Sequence, residues 1–371
     1  MRVKLKDITK FSKGTQINGK NLIDDGAYSY LNGGINPSGK WNEFNVAENT
    51  VTISEGGNSS GYVNYMTEAF WCGAHCYYLY DGPKNSKYLY YALKSQQERL
   101  FRIRSGACMP NIKKSDLGNF ILEYEHDEVR QKEVVKVLEK CELLIEDYKR
   151  ELDLLDEAVR ARFVEMFGDP NIEFKYNSVK FNDLAARMTK GPFGSDMKKD
   201  LFVPKGEDTY KVYIQINAIQ KNQSLGEYYI SKEYFDRKVS RFELFPNDYI
   251  ITCDGTLGKY LKLDENMEKG VISPSLLRLT LQNDKINDKY FENIWDFYML
   301  GLMKKEARNA CLVHLPSAKK IGEISIPLPP LELQNQFASF VEEIDKSRSR
   351  IQKSLEASQE LFDSLMQEYF G

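Results

Sequence analysis

The chain has 371 residues, of which 42% are hydrophobic and 28% charged, and its formal net charge is -3. That length accommodates two domains with cores of their own, and the mixture of apolar and charged residues excludes a disordered chain. No apolar stretch approaches the ~20 residues of a spanning helix and the opening MRVKLKDITK lacks a signal-peptide core, so a soluble cytoplasmic protein is expected. Six scattered cysteines, at 72, 76, 108, 141, 253 and 311, make no disulfide framework and read as reduced thiols.

Residues 1–122 read as a first globular segment. It opens on VKLKDI (3–8) and reaches a Lys-Gly pair, Lys13 and Gly14, in FSKGTQ. A Gly-rich turn follows in TISEGGNSSGYV (52–63), where backbone can approach a ligand closely, although a purely structural turn would read the same. His75, inside FWCGAHCYYLY, reads as part of a buried strand. Arg104, Lys113 and Lys114 collect before the next segment and are candidates for phosphate contact, with solvated surface as the alternative.

Residues 123–168 carry a helical pattern. Val134, Leu138, Cys141, Ile145, Tyr148, Leu152, Leu155, Val159, Arg162 and Met166 recur at alternating spacings of 4 and 3, the seam of a coiled coil. A second globular segment spans 169–329. Its VKFNDL (179–184) echoes VKLKDI, Lys190 and Gly191 repeat the Lys-Gly pair, and ITCDGTLGKYL (251–261), with Lys259, repeats the Gly-rich turn. Lys190, Lys198 and Lys199 surround GPFGSDM, and Arg308, Lys319 and Lys320 stand before the last segment near the places of Arg104, Lys113 and Lys114.

Residues 330–371 complete a duplication, because sliding the chain by 203 positions pairs them with the first helical segment without a gap. EMFG at 165–168 meets EYFG at 368–371, and the seam reappears as Phe337, Val341, Ile344, Arg348, Ile351, Leu355, Ser358, Phe362, Leu365 and Tyr369. Charge divides by segment type. Residues 1–122 carry 15 basic and 10 acidic side chains and 169–329 carry 24 and 22, whereas 123–168 carry 8 and 14 and 330–371 carry 4 and 8.

Connectivity makes the two helices antiparallel if they pair within one chain. At 1.5 Å per residue, about 40 residues span roughly 60 Å, so the expected architecture is two mixed α/β domains separated by a helical rod with an internal pseudo-twofold. Duplex DNA with two half-sites suits such a molecule. A scaffold that spaces two protein-interaction domains is the competing reading, compatible with the same geometry.

TKGPFGSDMKK (189–199), DYIITCDGTLGKYLKL (248–263), VISPSLLRLTL (271–281) and EISIPLPPLELQNQF (323–337) sharpen the choice. Together with the repeated domain-helix order they closely resemble the specificity subunit of type I restriction-modification systems, over essentially the whole chain. The first half departs from the pattern: the approach to its helix, NFILEYEHDEVRQ (119–131), lacks the double proline, and FSKGTQ stands where GPFG is expected. The resemblance implies a subunit that reads a bipartite double-stranded DNA target through two recognition domains. Its helices would dock two methyltransferase subunits, and restriction/translocase subunits would join them. It also implies that this chain binds no cofactor, while its partners use S-adenosylmethionine, and ATP with Mg for restriction.

The residues agree that chemistry lies elsewhere. There is no Gly-x-x-x-x-Gly-Lys-Ser/Thr phosphate loop, no Gly-rich nucleoside fingerprint and no Asn/Asp-Pro-Pro-aromatic tetrapeptide. CGAHC and CLVH lack the spacing of a zinc site, and His126, between Glu125 and Asp127, reads as solvated. No catalytic residue and no metal is expected.

Overall fold

The structure is a computed structural model and describes residues 1–106, 108–220, 226–307 and 314–371. It divides into two compact units, Met1–Glu151 with Ile351–Gly371, and Leu152–Arg350. Each unit therefore takes part of both long helices, Glu128–Phe167 and Leu331–Phe370.

Unit 1 contains, in chain order, β1 (Arg2–Lys4), β2 (Lys10–Lys13), β3 (Tyr28–Leu31), β4 (Gly39–Trp41), β5 (Thr50–Ser54), β6 (Val63–Met66), β7 (Phe70–Cys72), β8 (Cys76–Tyr80) and β9 (Ile121–Glu123). They form a four-stranded sheet β2-β8-β5-β6, a three-stranded sheet β4-β3-β7 in which β3 and β7 are parallel, and a small antiparallel pair, β1 with β9. Unit 2 contains β10 (Ser178–Lys180), β11 (Ala185–Lys190), β12 (Thr209–Tyr213), β13 (Tyr228–Ser231), β14 (Glu243–Leu244), β15 (Tyr249–Thr252), β16 (Tyr260–Lys262), β17 (Gly270–Ile272), β18 (Leu276–Leu281) and β19 (Ser325–Pro327). Its sheets repeat the plan with one strand added: β11-β18-β15-β16, then β13-β12-β17-β14 with β12 and β17 parallel and β14 where unit 1 has only the bridge Val46–Phe70, then β10 with β19.

The expected helices begin and end for local reasons. Asp127 caps the first, its carboxylate accepting the Val129 N–H at 2.9 Å, and Glu125 accepts the backbone N–H groups of His126 and Asp127. Proline residues 329 and 330 precede the second, where a missing N–H costs nothing. Gly168 closes the first at φ +82 and donates its N–H to the Val164 carbonyl, a conformation that favours glycine at a helix end. Gly371 makes the matching bond, its N–H donating to the Gln367 carbonyl.

All twenty seam positions are buried or half-buried. In unit 1, Val134, Val135 and Leu138 from the start of the first long helix share a core with Met366 and Phe370 from the end of the second. In unit 2, Val159, Phe163 and Phe167 from the end of the first share a core with Phe337 and Val341 from the start of the second. The helices are thus antiparallel within each unit. One detail differs from a free-standing two-helix seam: at these ends the seam residues are buried under the sheets as well as against the other helix. Cys141 and Ile145 remain buried, while Leu152, Leu155, Ile344, Ile351, Leu355 and Phe362 are half-buried.

Candidate nucleic-acid interface

Strand register brings the singled-out turns to one end of the main sheet in each unit. In unit 1, β2 ends at Lys13 opposite Tyr77, β5 ends at Ser54 opposite Cys76, and β6 begins beside it, with Val63 opposite Ile53. Beyond the ladder, the Glu55 N–H donates to the His75 carbonyl at 2.8 Å, and the Glu55 carbonyl accepts from Ile112 at 2.9 Å. In unit 2, β11 ends at Lys190 opposite Leu277, and β15 ends at Thr252 opposite Leu276. The Cys253 N–H donates to Ser275 at 2.8 Å and its carbonyl accepts from Leu315 at 2.8 Å. Bridges Gly56–Asn111 and Asp254–His314 complete the same framework.

The register makes Lys13 the counterpart of Lys190, Glu55 of Cys253, Asn111 of His314 and Tyr77 of Leu277. Both Lys-Gly pairs are fixed by a close approach. A Cβ on Gly14 would lie 1.9 Å from the Cys72 carbonyl oxygen, and one on Gly191 would lie 2.0 Å from that of Ser273.

In unit 1 this sheet end forms an open cleft of about 520 Å³ lined by Lys13, Glu55, Tyr77, Asn111, Lys113 and Lys114. Lys13 pairs with Glu55 at 2.8 Å, and the other Glu55 oxygen faces His75 Nδ1 at 3.4 Å. Tyr77 floors the cleft, and burial together with the Glu55 charge pushes its phenol up to about 12. Lys113 and Lys114 are exposed, with Lys114 Nζ 5.7 Å from the Phe11 ring centre. In unit 2, Lys190 is exposed beside Cys253, whose thiol is pushed up to about 12 by burial, the Lys190 cation opposing. Asp254 meets His314 Nδ1 at 2.5 Å. Lys259 is exposed and lines an open cleft of about 810 Å³ with Tyr260, Asp296 and Lys304.

Other predicted positions fare differently. Arg104 is committed to its own unit, donating to the carbonyls of Phe101 at 2.7 Å and Asn58 at 3.3 Å. Lys198 and Lys199 are exposed beyond the GPFG turn. Lys113 and Ser317 are the N-caps of the short helices Lys114–Gly118 and Ala318–Gly322, so Lys319 and Lys320 stand at the places of Ser115 and Asp116. Arg308 and Cys311 lie outside the described residues. His126 is exposed just before the first long helix.

His75 corrects the expectation of a buried strand. Its side chain is 60% exposed on a turn between β7 and β8. Gly73 donates to Leu31 and Asn32 Oδ1 accepts the His75 N–H, which bends the chain out of the sheet. The apolar residues around it belong to the two flanking strands. Glu55, Asn111, Asp254 and His314 were not legible as site residues, because their neighbours come from 20 to 60 residues away. Among the described residues, no group of three or more His, Cys, Asp or Glu side chains is placed to hold a metal, and no helix is long and apolar enough to cross a membrane.

The family model for the type I restriction modification DNA specificity domain matches residues 1–154 and 193–359, most of the chain. A Mycoplasma pneumoniae protein named for a type I specificity subunit, S.MpnORF638P, is 36% identical over 145 residues, 38% of each chain. The MjaVIII specificity subunit of Methanocaldococcus jannaschii is 29% identical over 169 residues, 41% of this chain and 37% of that one. These matches span about two fifths of the relatives' length. Among solved structures, the S subunit of a type I system from M. genitalium has a TM-score of 0.64 at 20% identity, covering 100% of this chain and 96% of that one. A chain from a structure of type I complex assembly has a TM-score of 0.54 at 12% identity, covering 99% and 96%. Both are likenesses of fold.

Proposed function

Since the chain belongs to the type I restriction-modification DNA specificity family, whose matched relatives are named type I specificity subunits, we propose that it is a non-catalytic subunit in which each unit reads one half of a bipartite double-stranded DNA target through its sheet end. The observation that carries the reading is the repetition of that end: the same hydrogen-bond framework presents Lys13 in one unit and Lys190 in the other, and in unit 1 the exposed Lys113 and Lys114 line the same cleft as Lys13. Cations at such positions hold phosphates and set orientation, while base edges are read by side chains between them. An overall charge of -3 does not oppose this, because binding depends on where the cations cluster.

The long helices dock two methyltransferase subunits in this reading, and restriction/translocase subunits complete a cytoplasmic assembly. The chain itself binds no cofactor; S-adenosylmethionine, and ATP with Mg, serve the partners. Lys13, Lys113, Lys114, Lys190, Lys198, Lys199, Lys259, Lys319 and Lys320 are the proposed phosphate contacts.

Selection of bound duplexes from a random library, with methyltransferase partner present, tests the reading. Two separated half-sites are expected, and exchanging residues 1–122 for another recognition domain should change one half only. Changing Lys113 and Lys114 to Ala should weaken binding to all sequences and reduce the salt slope by about 1 for each phosphate no longer held. Recovery of no preferred sequence would favour a scaffold that spaces two protein-interaction domains.

A further inference from the structure

Phe193 stands at the tip of the GPFG turn, 76% exposed, although an aromatic ring of that size is ordinarily covered. Its turn is firmly seated. The Gly191 N–H donates to the Leu276 carbonyl, Pro192 is buried, the Phe193 carbonyl accepts from Asp196 at 2.8 Å, and Tyr234 Oη donates to the Asp196 carbonyl at 2.9 Å. An exposed ring on an anchored turn is a presented group, not a frayed one. Gly194 keeps the flank open, since a Cβ there would meet nothing within 4 Å. Lys190, Lys198 and Lys199 are exposed on either side in sequence, with Asp196 and Asp200 between and after them.

The unit 1 counterpart sharpens the point. Lys13 and Gly14 match Lys190 and Gly191 in register, and two residues further along the chain unit 1 has the amide of Gln16 where unit 2 has the phenyl ring of Phe193. A phenyl ring has no base edge to hydrogen-bond, but it can replace a base as a stacking surface once a step is opened.

We propose that Phe193 is an apolar wedge that enters the base stack of the half-site bound by unit 2, while Gln16 leaves the other half-site stacked. The proposal rests on the DNA reading above. A wedge favours steps that unstack readily, so Phe193 would select pyrimidine–purine steps without a hydrogen bond to either base.

The test uses the full chain with its methyltransferase partner and duplexes carrying 2-aminopurine at each position of both selected half-sites in turn. Fluorescence should rise on binding at one step of the second half-site, away from the methylated base, and at none of the first. Phe193→Ala should abolish that rise and weaken binding about 10- to 100-fold, whereas Phe193→Trp should retain both. Unchanged reading of the first half-site shows that the variant is folded. If the wild type selects two half-sites but 2-aminopurine stays quenched at every such step, the wedge is wrong and the DNA reading survives. Loss of binding when thymine is replaced by uracil, without any fluorescence rise, would overturn it in favour of methyl contact. Weakened methyltransferase association with DNA binding intact would overturn it in favour of a protein surface. Failure of the wild type to select any sequence would remove the DNA reading itself.

Discussion

The two units share a topology and hold their helices by different means. Unit 2 surrounds the helix junction with rings: Phe163 lies 5.6 Å from Phe337 and 5.7 Å from Tyr290, and Phe167 lies 5.4 Å and 5.0 Å from the same two. Unit 1 places Val134 where Phe337 would be, and its aromatic contacts shift to Tyr88 with Tyr124 at 5.4 Å and with Phe370 at 5.2 Å. The helix starts differ likewise, two prolines in one and a carboxylate cap in the other. Strand register is common to both, so the fold is specified by backbone pairing and apolar pattern, and the particular side chains are free to diverge.

The largest break in this comparison should come from the junction. Phe337→Ala is expected to cost about 3–5 kcal/mol, against about 1.5–3 kcal/mol for Val134→Ala, because the larger buried ring leaves the larger cavity. Hydrogen exchange monitored by unit should show the loss of protection confined chiefly to unit 2 in the first variant and to unit 1 in the second. Gly14→Ala and Gly191→Ala should instead resemble one another. Each forces backbone away from a carbonyl, at about 1–3 kcal/mol, and on the proposed function each should blunt recognition of its own half-site in the library selection.

Buried glutamines at matched positions give a finer contrast. Gln334 accepts from the Asn287 N–H at 2.8 Å and donates to the Pro329 and Lys285 carbonyls. Gln131 donates to the Glu125 carbonyl and to Tyr124, but its own oxygen is buried without a partner among the described residues. Gln334→Leu should therefore destabilise by about 1–3 kcal/mol and Gln131→Leu by less, as denaturant midpoints of the two variants would show.

The smallest effect concerns pH. Backbone N–H groups of Asp127 and His126 hold the Glu125 carboxyl below its ordinary range. Its folded pKa is depressed, so its contribution is present above the ordinary glutamate value of about 4.3 and is lost as pH falls through the folded value. Exchange protection of the His126 and Asp127 amides, which Glu125 accepts just before the first long helix, should decline on acidification more than that of the Leu333 and Gln334 amides, which donate to the Pro330 carbonyl. Equal decline at the two places would remove Glu125 from the account.

Features with a period or a local cause are legible in the chain alone. The 203-residue duplication, the alternating seam and the stop at Phe167-Gly168 could be read because a helix buries every third or fourth residue and ends where glycine permits a left-handed turn. The Lys-Gly pairs were legible as a repeat and the Gly-rich stretches as turns, in which Gly57, Gly61, Gly255 and Gly258 do take positive φ. Their convergence was not. Glu55, His75 and Asn111 meet because three strands end in register and a later segment bridges to them, and Asp254 reaches His314 across 60 residues in the same way. Such meetings arise only when the strands pair and the cores close. A one-residue change of register would turn each side chain to the opposite face, and no local pattern records which register the cores select.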